Sequence, residues 1–505
     1  MLTRDQFHNL YEQGAEALFA HFQQQADQLQ KAKDELAAAK EMLLLLHEKG
    51  QEVQQQITAL KNQIHELEVR INKDSHNSSK PPSSDGLKKK PAPKSLRPKT
   101  GRKQGGQKGH PGNTLTFSDT PDHRVPHIPT CCSGCGASLE NAEVVALQKH
   151  QVLDLPPLHV EVTEHVQESR RCACGVTTTA AFPEEASEPI QYGPRLKALC
   201  VYLRDYQLLP FARCTQLLTD MFGATLCKAT LASVLSECST RLVPVCETIQ
   251  TALIGSEVVD FDETGMRVEG KLHWVHSAST PTLTYYTCHP SRGKNGSDAA
   301  GILSSFTGTA VHDAWCSYGQ YSCKHALCNA HHLRELIPFA EEGAVWAKDM
   351  ITLLVEIKAA VERAQSQEQS RLSPLLEARF EGRYQKLIKQ GYAANPPPPD
   401  PPRDKRGRPK QTPERNLLLR LDTNRKQVLA FMYDFAIPFD NNLAERDLRM
   451  IKLRQKISGG FRTLEGAEAF CRVRGYVSTL RKQGKHILTA LESVFRGNPE
   501  PVAPG

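Results

Sequence analysis

The chain has 505 residues and a net charge of +7 at pH 7. That length allows roughly two to four domains, and a basic excess gathered in clusters points to a polyanionic partner. Fifteen cysteines, an odd number spread along a long chain, exclude a small secreted disulfide scaffold and predict a reducing cytoplasm. The start, MLTRDQFHNLYEQG, lacks the apolar stretch of a signal peptide, and "MLLLL" at 42–46 is too short for a bilayer. The expectation is a cytoplasmic protein with no membrane partner.

Residues 1–72 read as helix. Leu29, Leu36, Leu43, Ile57, Ile64 and Ile71 recur every seven residues, with Gly50 in the missing place; Ala32, Ala39, Leu46, Val53, Leu60 and Leu67 fill the second seam position. A narrow apolar seam with polar flanks predicts a coiled coil, hence a homodimer or higher oligomer. Residues 73–112 form a Pro/Gly-rich linker in which residues 87–112 carry nine Lys or Arg and no acid. Lys88, Lys89, Lys90, Arg102 and Lys103 are expected to touch phosphates.

Residues 113–190 hold "CCSGCG" and "RCACG". Cys132 with Cys135, and Cys172 with Cys174, are close thiol pairs, each followed by a glycine that permits a tight turn. Four soft ligands in two such pairs suit tetrahedral Zn2+, and the short alternating stretches between them read as strands of a zinc ribbon. Cys131 is the alternative to Cys132. Residues 191–256 read as helices, either a supporting layer or a helix-turn-helix at "FGATLCKATLASVL".

From 257 the texture changes to three strands with turns at "EGK" and "STPT", then strand–helix units. This predicts an α/β domain over 257–456, interrupted by a helical insertion at about 343–425, with a helical tail over 457–505. A proline-rich spacer in the insertion carries Arg406 and Arg408 in "RGRPK", similar to an arm that reads a narrow minor groove.

Asp262 ends the first strand in "VVDFDETG", and Asp260 shares its face in a period-two strand. Asp313 ends a later strand in "AVHDAW". If those strands are neighbours, the two carboxylates meet, repel, and call for a cation; hard oxygen ligands suit Mg2+ or Mn2+. Glu445, a lone acid among Arg446, Arg449, Lys452, Arg454 and Lys456, would complete such a site from a helix, with the cations turned to DNA. Asn442-Leu-Ala-Glu445 also fits a helix capping box, and Glu445 with Arg449 a surface pair.

The stretches "NSSKPPSSD", "GRKQGGQKGHPG", the two cysteine pairs, "DFDETGMRV", "VHDAW", "CNAHHLREL", "NNLAERDLRMIKLRQKISGGFRT" and "EGAEAFCRVRGYVSTLRKQG" occur in one order over residues 72–485. Together they resemble the large transposase of the insertion-sequence-66 group, a DDE transposase with an RNase H-like catalytic domain. The resemblance implies that Asp262, Asp313 and Glu445 are the catalytic, magnesium-binding acids, and that Cys328 and His331 form a C-x-x-H element that braces the site. It implies DNA cleavage and strand transfer at terminal inverted repeats, with two small accessory proteins as further partners. The second cysteine pair departs from the family's pattern, with one intervening residue where two are expected. The alternatives are a structure-specific nuclease or resolvase on the same fold, and a catalytically inactive zinc-dependent regulator.

Overall fold

The computed structural model describes residues 3–71, 109, 112, 115–183, 186–397 and 411–503. Lys88, Lys89, Lys90, Arg102, Lys103, Arg406 and Arg408, expected to face DNA, lie outside the described residues. The chain divides into two compact units, Met1–Pro93 and Lys94–Gly505.

The first unit is helical. A short helix α1 (Arg4–Glu12) opens with the Gln6 side chain reaching back to the Thr3 backbone N–H, 3.0 Å. It leads into α2 (Ala15–Ile71), a single helix of 57 residues. Leu29, Leu36, Leu43, Leu46, Val53, Ile57, Leu60, Ile64 and Leu67 are all exposed along it. Burying one such side chain is worth about 1.5–3 kcal/mol, so this stripe is an unpartnered apolar surface.

In the second unit, residues 115–183 carry little regular structure. A hairpin joins β1 (Ser169–Arg171) to β2 (Thr177–Thr179). The alternating stretch 158–168, expected as strand, forms no ladder among the described residues. Alternation marks a strand only where a partner supplies hydrogen bonds along its backbone, and here the Ala180 N–H, donating to the Glu168 carbonyl at 3.1 Å, reaches only its last residue.

Four helices follow: α3 (Pro194–Val201), extended by a π-helical turn at Tyr202–Tyr206, α4 (Phe211–Phe222), α5 (Lys228–Arg241) and α6 (Val243–Ile254). Leu231, Leu242 and Leu253 from them share a buried cluster with Val259, Phe261, Ile302 and Phe306. Residues 191–256 are thus a layer packed on one face of a sheet.

That sheet has five strands: β3 (Val258–Val268), β4 (Lys271–Ser279), β5 (Thr284–His289), β6 (Thr309–His312) and β7 (Lys324–Leu327), with α7 (Lys294–Ala299) before β6. Their order is β5-β4-β3-β6-β7. The first three form an antiparallel meander; β6 runs parallel beside β3, and β7 parallel beside β6. The β3–β4 turn places Glu269 and Gly270 at positive φ, 53° and 75°, the two-residue geometry whose twist matches a hairpin. After β7 comes α8 (Asn329–Glu341), then α9 (Val345–Ser366), α10 (Pro374–Ala394), α11 (Pro413–Thr423), α12 (Arg425–Val428) and α13 (Ala430–Tyr433). These helices bury Trp346, Met350, Leu354, Tyr384, Leu418 and Leu421 in one cluster with the sheet residues Val311, Ala326 and Leu327. They lie between the last strand and the helix of Glu445.

The chain returns to the sheet through α14 (Asn442–Ser458), α15 (Leu464–Lys482) and α16 (Ile487–Phe495). The helix α14 stops at Gly459, φ +68°. A side chain at Gly460 would strike the Arg267 carbonyl at 2.6 Å. Its absence lets the Phe461 N–H donate to that carbonyl at 2.8 Å, while the Glu269 N–H donates to the Phe461 carbonyl at 2.9 Å. The segment from 457, expected as a tail, is instead integral to the core: Val473, Tyr476, Leu480 and Leu491 are buried with the sheet residues Val259 and Phe261. Helix α15 covers the edge strand β5, and α16 packs on α3 and α5.

Candidate active site

The register of the parallel pair β3–β6 sets Val258, Val259 and Asp260 opposite Thr309, Ala310 and Val311. Continued two residues, it brings Asp262 beside Asp313. Asp262 Oδ1 accepts the backbone N–H of Glu263 at 2.8 Å. Asp313 Oδ1 accepts that of Trp315 at 3.1 Å, across Ala314 held at φ +57°. Burial pushes the Asp262 carboxyl well above the usual carboxylate range, helped by the negative charges of Glu263, Asp313 and Glu445. Burial, with the Glu263 charge second, raises Asp313 to about 6. Among the described residues neither carboxylate has an ion-pair partner. Two acids that resist ionisation together and have only N–H donors for company are a hard-oxygen site short of positive charge.

Glu445 reaches the same place from α14, and its setting differs from the expected capping box. The N-cap is Asn441, and its side chain makes no cap. Instead Asn441 Nδ2 donates to the Phe261 carbonyl at 2.7 Å, and its backbone N–H donates to Cys328 Sγ at 3.2 Å. The buried Asn441 thus fastens the start of α14 to β3 through its side chain and to Cys328, just past β7, through its backbone. Glu445 does not pair with Arg449. Its Oε1 accepts from Arg334 at 3.0 Å and lies 3.7 Å from His331 Nε2.

Cys328, His331 and Glu445 offer ligand atoms within 4.8 Å of one another. Burial drives Cys328 up to about 12, so its sulfur is a thiol accepting the Asn441 N–H. Burial, then the Arg334 and Arg420 charges, drives His331 down to about 3. The Arg334 guanidinium thus holds the Glu445 carboxylate, with the His331 imidazole and the Cys328 sulfur close by.

Asp260 lies two residues before Asp262 and is buried. Its carboxyl is pushed up to about 7 by burial, against the pull of Lys482 and with repulsion from Asp440 and Asp447. Lys482 donates to Asp447 Oδ2 and to the carbonyls of Thr280 and Leu283, each at 2.8 Å. Asp447 Oδ2 also accepts from Ser279 at 2.7 Å and Thr284 at 3.1 Å. This network ties α14, two residues past Glu445, to β4, β5 and α15.

Sequence reasoning missed Glu263. It accepts from Arg292 at 2.8 Å and from the Tyr318 hydroxyl at 2.6 Å. The "DET" motif contained it, but its partners are 29 and 55 residues away and no local spacing announces them.

The basic residues of α14 divide. Arg446 and Arg449 are exposed. Lys452 is half-buried and donates to the Gly265 carbonyl at 2.6 Å, anchoring the helix on β3. Arg454, expected to face DNA, is buried instead: its guanidinium lies 3.4 Å from the Phe461 ring centroid and 5.1 Å from that of Phe470. Helical periodicity turns position 454 inward with Leu448 and Ile451.

In the cysteine segment each pair forms its turn. The Gly136 N–H donates to the Cys132 carbonyl and the Gly175 N–H to that of Cys172, both at 2.9 Å. Backbone N–H groups lower the Cys132 and Cys172 thiols, from Cys135 and Gly134 in one case and chiefly Cys174 in the other. That is the polarity a thiolate–metal bond requires. Cys131 stands outside this turn, in an isolated bridge to Ser138. The two half-sites do not bring three of these sulfurs within 4.8 Å of one another.

An acidic centre on a mixed α/β sheet, in a chain that also carries paired cysteine turns and a helical N-terminal unit, is the build of a multidomain transposase. Residues 129–175 match the zinc-finger binding domain of transposase IS66. Residues 189–469, more than half of the chain, match the Transposase IS66 family, and the chain belongs to that family. Residues 22–116 match a family of unknown function, DUF6444. Comparison with curated proteins gives no match. No helix among the described residues is long and apolar enough to cross a membrane.

Proposed function

We propose that the chain is a DNA transposase that cuts the ends of its element and joins the freed 3′-hydroxyls to target DNA, with Asp262, Asp313 and Glu445 as its catalytic acids. This reading is supported by the parallel β3–β6 ladder, whose last pair, Asp260 with Val311, stands two residues before Asp262 and Asp313, and by Glu445, whose negative charge helps raise the Asp262 carboxyl. The strand order β5-β4-β3-β6-β7, with a helix returning the third acid, supports an RNase H-like catalytic domain.

Asp262, Asp313 and Glu445 would hold Mg2+ or Mn2+. When bound, such ions activate the attacking hydroxyl and stabilise the leaving 3′ oxygen. The chain's own part is positioning. Asn441 and Cys328 fix the start of α14, Arg334 and His331 orient Glu445, and Asp260 belongs to the network behind the site. Cys328 and His331 therefore brace the acid. Arg446 and Arg449, exposed on the same helix, suit the DNA backbone, as do the basic stretch 87–108 and the "RGRPK" arm.

Cys132, Cys135, Cys172 and Cys174 are the zinc ligands in this reading, and the zinc finger binds terminal inverted repeats. The exposed stripe of α2 supports pairing of two copies as a coiled coil, which would bring two DNA ends together. Two small accessory proteins of the same element are compatible partners, and the setting is the bacterial cytoplasm.

Incubating the full chain with Mg2+, pre-cut element ends and a plasmid target tests transfer. Joined product is expected. No joined product from pre-cut ends, with cleavage of uncut ends in a parallel reaction, would reduce the activity to that of a nuclease or resolvase.

A further inference from the structure

We propose that Trp315, backed by Arg292, is a stacking platform for a DNA base beside Asp262 and Asp313; the inference rests on the DNA-cleaving reading above. Trp315 is 37 % exposed, although it stands two residues from the half-buried Asp313. Its neighbourhood fixes it in place. The Trp315 N–H donates to Asp313, and the Ala314 N–H donates to His312 Nδ1 at 3.2 Å. Ala314 between them is held in the left-handed region, at φ +57°. That conformation costs a non-glycine residue free energy of order 1 kcal/mol and persists only where its surroundings enforce it. Here it turns the indole out of the β6 direction while leaving Asp313 in the site.

The Arg292 guanidinium lies 3.9 Å from the Trp315 ring centroid and 4.9 Å from that of Trp274. Its charge is already taken by Glu263, at 2.8 Å. Arg292 therefore offers phosphate less than its charge suggests, and stiffens the indole against which it lies. An exposed, pre-set aromatic plane next to paired carboxylates fits a nucleobase, since every base presents a π face. A base stacked there would hold the nucleotide at the cut, so that its phosphate meets the acids.

The test uses the full chain and duplex DNA carrying the end of its own element. In the first arm, 2-aminopurine replaces one nucleotide at a time on either side of the cut, with Ca2+ in place of Mg2+ to hold the complex uncleaved. One position is expected to change emission on binding to the wild-type chain and to Trp315→Phe, and not to Trp315→Ala. In the second arm, Trp315→Ala slows cleavage roughly 5- to 150-fold, the range of one base–aromatic stack. An abasic nucleotide at that position slows the wild type to a similar degree and adds nothing further to Trp315→Ala. The proposal is overturned if no position responds on the wild-type chain, if Trp315→Ala cleaves at the wild-type rate, or if the two losses multiply. Failure of the wild-type chain to cleave at all removes the underlying reading, and the platform with it.

Discussion

Replacing Lys482 by Met should destabilise the sheet domain by about 4 kcal/mol. The Lys482 and Asp447 side chains are 12 % and 14 % exposed. The ammonium satisfies Asp447 Oδ2 and two backbone carbonyls at once. Methionine keeps the stem and removes the charge. Asp447 then retains two hydroxyl donors but no cation, and the Thr280 and Leu283 carbonyls each lose a donor. Breaking one side of a buried pair costs about 3–5 kcal/mol, whereas replacing both partners is often close to neutral. The double variant Lys482→Met with Asp447→Asn should therefore lie within about 1–2 kcal/mol of wild type. Urea unfolding followed by tryptophan emission reads this region, because Trp274, Trp315 and Trp346 all lie in the α/β domain and its insertion. The same variants report on function: Asp447 sits two residues past Glu445, so the single change should slow cleavage more than the double. A loss below about 1 kcal/mol for Lys482→Met, or a double variant whose cost equals the sum of the single costs, would refute the reasoning.

His332 is buried, and burial, then the Arg420 charge, pushes it down to about 3. The unfolded imidazole takes a proton below about 6.5 and the folded one does not, so stability is present above that pH and is lost as pH falls toward 3. His332→Gln should flatten the acid limb of a stability–pH curve by about 1.4 kcal/mol per pH unit between roughly pH 6 and 4; an unchanged slope would count against a buried neutral imidazole. Arg446→Ala with Arg449→Ala should lower the salt dependence of DNA binding by about two counterions, while Arg454→Met should lower the urea midpoint and leave that dependence alone. Zinc removal by a strong chelator should open residues 129–175 to proteolysis and leave the tryptophan-monitored transition unchanged; coincident loss of both would mean the zinc finger supports the sheet.

The order of strands and helices from 257 to 456 was legible because β-branched alternation, turn residues and helical periods are local signals. The meeting of Asp262 with Asp313 was legible only as a condition on strand adjacency, which the parallel register satisfies. What the sequence hid was long-range. Asn442 looked like the cap because it stands three residues before Glu445, yet Asn441 is the working residue, through bonds to Phe261 and Cys328. Arg454 resembled its basic neighbours until packing on Phe461 and Phe470 set it inside. Glu263 and Lys482 act through partners distant in the chain. The segment after 457 read as a tail because nothing local states that α15 covers β5.

The central claim is that three acids from β3, the end of β6 and α14 act as one metal-dependent centre. The most direct measurement is Mg2+-dependent cleavage of element-end DNA by the full chain and by Asp262→Asn, Asp313→Asn and Glu445→Gln, with Asp447→Asn plus Lys482→Met as a control for displacement of α14. Each of the three single variants should lose at least about 100-fold, with folding and DNA binding retained. Cleavage within a few-fold of wild type by any one of them would contradict it.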